Sequence, residues 1–341
     1  MRRSFLLKAA ALAGTVLAGD ALRGGPAMAQ GKPLTIGYQE QPDWLLFAAR
    51  ELRMFEKAGL SPSFIKFEAG PPMIEAIKTG AIDLASLGSV AFLIGLSVGV
   101  DWTMIGINPE GAFSQGLVAR KDSGIKTPAD LRGKKVGVFK GATAQYGLLM
   151  MLRQHGVKEE QVITIHMTPQ QQLEAMVTKQ IDAAMVWEPW MQRMIHTAHS
   201  RIVETEGNLG IYTNVDCYSV RHDWLKVNRD IGLRFLRALV MTAELVKKEP
   251  RLALNVWARE LGLKEAWAEA IYDVVPPPLV HEWTNPRYTY SLMKHGPLYQ
   301  RLTFLANYML QEGLIKQPVD LSDAMDPSLI AEVLKQKLPP R

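Results

Sequence analysis

From residue 34 onward the apolar positions follow two alternating rhythms. Residues 34–38 form a short, nearly continuous apolar run of the kind a buried strand shows, and in 43–55 Leu46, Ala49, Leu52 and Phe55 recur at helical spacing. A second strand is predicted at 63–67. A helix then opens on Pro71-Pro72, where proline is tolerated because the first turn has no acceptor for the missing amide. Strands at 82–87 and 102–107 follow. Near Gln115 the pattern starts again, with a short capped helix at 127–130, strands at 135–139, 162–167 and 181–187, and helices at 142–154, 169–178 and 189–196. Regular alternation of this kind predicts an α/β chain with parallel sheets flanked by helices. After 216–220 strand signals become sparse, and long helices are expected at 229–248, 251–260, 264–274 and 291–311.

A repeat supports the doubling. Residues 74–85 align with 173–184 at an offset of 99, with Glu, Ala, Thr, Ile, Asp and Ala identical. Ile36-Gly37 and Val136-Gly137 open the preceding units at an offset of 100, so two lobes of similar build are implied. Ligands of open parallel sheets sit beyond the carboxyl ends of the strands. Two such sheets facing one another would enclose a cleft lined by strand-end loops.

Those loops supply the candidate ligand-binding residues. They are Gln41 and Trp44 after the first strand, Gly88 and Ser89 after the third, and Gly141, Ala142 and Thr143 after the first strand of the second lobe. Thr168 and Gln170 follow the next strand, and Trp187 and Glu188 the last. The small-residue helix start at 141–144 offers free amides and a positive dipole end to a sulfonate, carboxylate or nitrate. Thr143 or Ser89 would add a hydroxyl donor. The same loop also reads as an ordinary capped turn. Trp44, Trp187, Trp190 and Tyr146 read either as pocket walls or as core. Glu188 is either a first-turn acid stabilised by the helix dipole or the partner of a cationic group on a zwitterionic ligand, and Asp43 invites the same two readings.

Composition narrows the classes. The chain has 341 residues, 48% apolar and 21% charged, which suits a globular protein of two or three domains with ample core. Arg2, Arg3 and Lys8, a small apolar stretch at 9–19 and Ala27-Met28-Ala29 have the order of an export signal cleaved after residue 29. Arg2-Arg3-Ser4-Phe5-Leu6 is similar to a twin-arginine signal, with a general secretory signal as the alternative. The net charge of +5 falls to +2 once the signal's four bases and one acid are removed, so nucleic-acid binding has no electrostatic case. The single cysteine, Cys217, excludes an internal disulfide and a cysteine-based zinc site. The seven histidines show no close ligand pattern, and no serine elbow, P-loop or dinucleotide fingerprint occurs. No catalytic residue, metal ligand or cofactor is predicted, and a monomer is expected.

Several segments together resemble a known family. Ile36-Gly-Tyr-Gln39, Phe67-Glu-Ala-Gly-Pro-Pro72, Ala81-Ile-Asp83, Leu87-Gly88, Ala129-Asp-Leu-Arg-Gly-Lys134, Lys140-Gly141 and Val186-Trp-Glu-Pro189 resemble the periplasmic substrate-binding proteins of ABC importers for aliphatic sulfonates, taurine and nitrate. The resemblance covers 34–204 well and the helical remainder loosely. It implies a two-lobed, type II-like periplasmic-binding-protein fold. Residues 1–29 would be the signal peptide, 30–115 with 216–341 the first lobe, carrying the C-terminal helices, and 116–215 the second. It further implies a non-catalytic periplasmic receptor that captures a small organic anion between the lobes and delivers it to an ABC permease in the cytoplasmic membrane. Alternatives on this fold are the ligand-binding subunit of a sensor and a sulfinate desulfinase-like enzyme. The desulfinases place a cysteine nucleophile after the first strand, where this chain runs Gln39 to Asp43, and the thiamine-pyrimidine synthases depend on a cysteine cluster absent here.

Overall fold

A computed structural model describes residues 34–110, 112–211 and 215–335; the expected export signal lies outside the described residues. In chain order the strands are β1 (Thr35–Tyr38), β2 (Ser63–Lys66), β3 (Leu84–Gly88), β4 (Trp102–Glu110), β5 (Gln115–Arg120), β6 (Lys135–Val138), β7 (Ile163–His166), β8 (Ala183–Trp187), β9 (Ser200–Thr205) and β10 (Val215–Arg221). They form two five-stranded sheets of one topology, β2-β1-β3-β10-β4 and β7-β6-β8-β5-β9.

The sheets are mixed, which corrects the expectation of parallel ones. Strands β2, β1 and β3 run parallel, as do β7, β6 and β8. By contrast β10 runs antiparallel to β3 and β4, and β5 antiparallel to β8 and β9. A strand returned by a helix crossover enters its sheet from the same end each time. β5 and β10 instead arrive from the other sheet, enter at the carboxyl edge and run the opposite way. β9 lies at a sheet edge and had given no clear signal in the sequence.

The repeat turns out to be the joint between helix and strand. Asp83 Oδ2 accepts the Thr35 amide at 2.9 Å, and Asp182 Oδ2 accepts the Lys135 amide at 2.9 Å. Thr79 and Thr178 donate their hydroxyls to the carbonyls of Glu75 and Glu174, at 2.9 and 2.8 Å, closing the two helices. The next residue is left-handed in both copies, Gly80 at φ 74° and Lys179 at φ 61°. A Cβ on Gly37 would lie 2.6 Å from Ile82 Cδ1, and one on Gly137 2.9 Å from Ile181 Cδ1. Those glycines let each first strand lie against the isoleucine that follows its helix.

Two helix expectations change. The segment 43–55 divides into Trp44–Glu51 and Met54–Lys57, because Arg53 between them is left-handed at φ 54°. The last long helix begins at Pro297, not 291, with proline in its first turn. The helices Arg229–Lys248, Pro250–Glu260 and Glu265–Val274 fall where the periodicity put them.

Each sheet has its own buried core, and the C-terminal helices belong to the first. Phe235 stacks on Phe55 at 5.8 Å and meets Tyr218 edge-on at 5.3 Å, while Trp257 packs on Trp44 at 4.6 Å. Burying side chains of this size contributes on the order of 1.5–3 kcal/mol each. Segment 324–326 pairs with β4 through Met104, at 2.9 and 2.8 Å, and so covers the edge of the first sheet.

Candidate functional site

The loops at the carboxyl ends of the two sheets touch. Trp187, at the end of β8, donates its indole N–H to the Glu40 carbonyl, two residues beyond β1, at 2.9 Å. Arg193, on the helix Trp190–Thr197, pairs with the Glu40 carboxylate at 2.6 Å and donates to the Leu261 carbonyl at 2.9 Å. The guanidinium also lies over the Trp190 ring, 4.3 Å from its centroid. Burial pushes Glu40 upward, but hydrogen bonds and charge from Lys66 and Arg193 outweigh it and hold the carboxyl below its ordinary range. On the same helix, His196 stacks on Trp267 at 4.4 Å. A Cβ on Gly141 would meet Pro71 Cγ at 3.2 Å, so the second sheet's glycine loop sits close against the first sheet's helices.

On the first-sheet side, a buried polar network follows β1. Gln39 donates to Gln41 at 2.6 Å, Gln41 to Ser86 at 3.3 Å, and Ser86 to Asp43 at 2.8 Å. Asp43 also accepts from the Tyr218 hydroxyl and from the Leu46 amide at 3.1 Å, capping the helix Trp44–Glu51. Burial raises Asp43 to about 6 against these bonds, and raises Asp216 to about 7 with the Asp43 charge adding to it. The register of β10 places Asp216 opposite Gly88 and Tyr218 opposite Ser86, on one face of the sheet. Cys217 points to the other face, fully buried, and burial pushes its thiol up to about 12, which leaves it a poor nucleophile.

On the second-sheet side, Ala142 caps the helix Thr143–Gln154 with extended backbone. The Gly141 amide is taken by Gln145 at 2.8 Å. The Thr143 hydroxyl donates to Gln115 at 2.9 Å, and Gln115 donates in turn to the buried Glu206. The amides of Thr143 and Ala144 belong to the first turn, which has no helical acceptor for them.

The predicted residues are therefore partly assembled. Gln41, Gly88, Ser89, Gly141, Ala142, Thr143, Trp187 and Glu188 lie on the meeting loops. The Ser89 hydroxyl accepts the Val215 amide at 3.5 Å. Glu188 accepts the Gln192 amide at 3.1 Å and its side chain at 3.3 Å, so its carboxyl closes its own helix; burial raises it to about 7. Trp44 is not on these loops. It is fully buried beside Trp257 and Tyr272, with its N–H on the Val275 carbonyl at 2.7 Å, because the helix it opens turns it into the first core. Thr168 and Gln170 are drawn into local structure at edge strand β7. Thr168 forms a capping box with Gln171, and the exposed Gln170 bonds Glu174 at 2.8 Å. Tyr146 packs edge-on against Tyr308 at 4.8 Å. The sequence reading missed Ser86, Tyr218, Asp216, Gln115, Glu206 and Arg193, of which only Asp216 and Tyr218 carried a legible alternation. Among the described residues no cluster of three His, Cys, Asp or Glu side chains is placed to hold a metal, and no helix is long and apolar enough to cross a membrane.

Known proteins share this arrangement. A putative aliphatic sulfonates-binding protein of Escherichia coli (strain K12) is 29% identical over 245 residues, 72% of this chain and 76% of that protein. The alkanesulfonate-binding protein SsuA of Xanthomonas axonopodis pv. citri, solved bound to MOPS, superposes with a TM-score of 0.72 at 21% identity over 90% of this chain and 99% of that one. The desulfurization enzyme DSZB superposes at 0.64 with 17% identity over 88% of this chain and 99% of that one. Likeness at these identities shows the fold alone: the two-lobed periplasmic-binding-protein architecture, with the helical C-terminal portion on the first lobe. The model of the family described as "NMT1/THI5 like" matches residues 44–253, well over half of the sequence, and the chain belongs to that family.

Proposed function

We propose that the protein is the solute-binding receptor of an ABC-type importer, acting in the periplasm as a monomer after removal of residues 1–29. It captures a small organic anion of the sulfonate class and presents it to a membrane permease. The observation that carries this reading is the meeting of the strand-end loops across Trp187, Arg193 and Glu40. Lobes closed on a ligand in this way exclude water from both sides and couple affinity to shape. The lobes, 30–115 with 216–341 and 116–215, would pivot about the links from β4 to β5 and from β9 to β10. The anion would lie at the Gly141–Thr143 helix start with Ser89 opposite, while Gln41 and Trp187 shape the space.

The likeness to DSZB supports no desulfinase reading, since the one thiol is buried and follows β9, not β1. Thermal-shift measurements against ethanesulfonate, taurine, MOPS and nitrate test the receptor reading. A solute at ~100-fold its Kd stabilises the folded state by about 2.7 kcal/mol, a rise in Tm of several degrees. Ser89→Ala is expected to weaken that solute by roughly ten- to a hundredfold, through loss of one hydrogen bond to a charged group. No shift with any of the four would overturn the reading.

A further inference from the structure

The receptor reading gives Ser89 and Gln41 of the first lobe a place beside the anion but leaves the other acceptors of that wall unassigned. The ionised Asp43 can only accept, so Ser86 donates to it. The Ser86 oxygen is then open to Gln41 Nε2, and Gln41 Oε1 to Gln39 Nε2. The direction of every bond is thus set outward from the carboxylate, and the chain ends on Gln39 Oε1, buried and without a partner. Across the end of β3 stands Asp216, only 5% exposed, whose carboxylate makes no hydrogen bond or ion pair with another side chain among the described residues. Buried acceptors are rarely left unmet. Moreover, the buried charged side chains among the described residues are all acidic: Asp43, Asp83, Glu188, Glu206 and Asp216. A bare anion between the strand-end loops would face Asp216 with no buried cation among the described residues to offset it.

We propose that Asp216 receives a protonated amino group of the ligand, so that the solute is an anion carrying an ammonium group and not a bare anion. Asp216 is then the residue that determines specificity. This inference rests on the receptor reading above. Glu188 does not compete for the role, since Gln192 already holds its carboxyl.

Calorimetric titration with taurine and ethanesulfonate, which differ by the ammonium group, tests it. The wild-type protein is expected to bind taurine at least about tenfold more tightly. Asp216→Asn should weaken taurine by about tenfold or more and strengthen ethanesulfonate, because the repelling charge is gone; the gain for ethanesulfonate also shows that the variant folds. Ethanesulfonate binding as tightly as taurine to the wild type, or undiminished taurine binding by Asp216→Asn, would overturn this inference and leave the receptor reading in place. Binding of neither sulfonate would remove the sulfonate reading and this inference with it.

Discussion

Asp43, Glu188 and Asp216 sit in surroundings that penalise charge, and burial raises them to about 6, 7 and 7. Each folded-state value exceeds that of the unfolded chain, so each group contributes stability below about pH 4 that is lost as pH rises through 6 to 7. Glu40 works the other way. Its lowered carboxyl contributes stability above its unfolded value, lost as pH falls. Melting of the ligand-free protein should therefore occur at a higher temperature near pH 5.5 than at pH 8. Asp216→Asn should be more stable than wild type at pH 8 by roughly 1–3 kcal/mol, with a flatter profile between. A wild-type Tm that climbs steadily to pH 8 would contradict this account. At this scale the strand-end rule placed Gln41, Ser89 and Trp187 at the carboxyl ends of strands, where the structure has them, since each stands at the end of a strong apolar run. It did not single out Asp216, because the place of that side chain depends on which strand β10 pairs with, a fact absent from the local pattern.

Between the two copies of the helix–strand joint, the elements differ at one informative position. Gly80 and Lys179 both take the left-handed conformation after their helices, but only glycine does so without a Cβ penalty. Lys179→Gly should stabilise the protein by about 0.5–1 kcal/mol, measured by denaturant unfolding. The ion pair it gives up with Asp122, at 2.7 Å, is mostly exposed and worth little. The repeat was legible because its identical residues do the same local work twice: Thr79 with Thr178, Asp83 with Asp182. Strand direction was not legible, since an apolar run of five or six residues reads the same whether its partner runs parallel or antiparallel.

Across the whole molecule, Arg193 ties the two lobes together. It joins the second-lobe helix to Glu40 and Leu261 of the first. Arg193→Ala should leave the melting temperature of the ligand-free protein nearly unchanged but weaken ligand binding by roughly five- to thirtyfold, about 1–2 kcal/mol. Stopped-flow fluorescence should place most of that loss in a faster off-rate, as expected for a contact that holds the closed form together. An unchanged off-rate would mean that the contact does not report closure.

By itself, the sequence determined the α/β class, the doubling of the helix–strand unit, the long C-terminal helices and the loops on which a ligand site would stand. These follow from periodicity, which is local and repeats within a few residues. Only the tertiary structure decided that β5 and β10 reverse direction, that Trp44 turns into the core, that Thr168 and Gln170 stay with their own helix, and that the Asp216 carboxylate is buried with no partner among the described residues. Each depends on contacts between residues far apart in the chain: Trp44 with Val275, Tyr218 with Asp43, Arg193 with Glu40. Such contacts are set by how two sheets exchange strands and face one another, and no window of neighbouring residues carries that information.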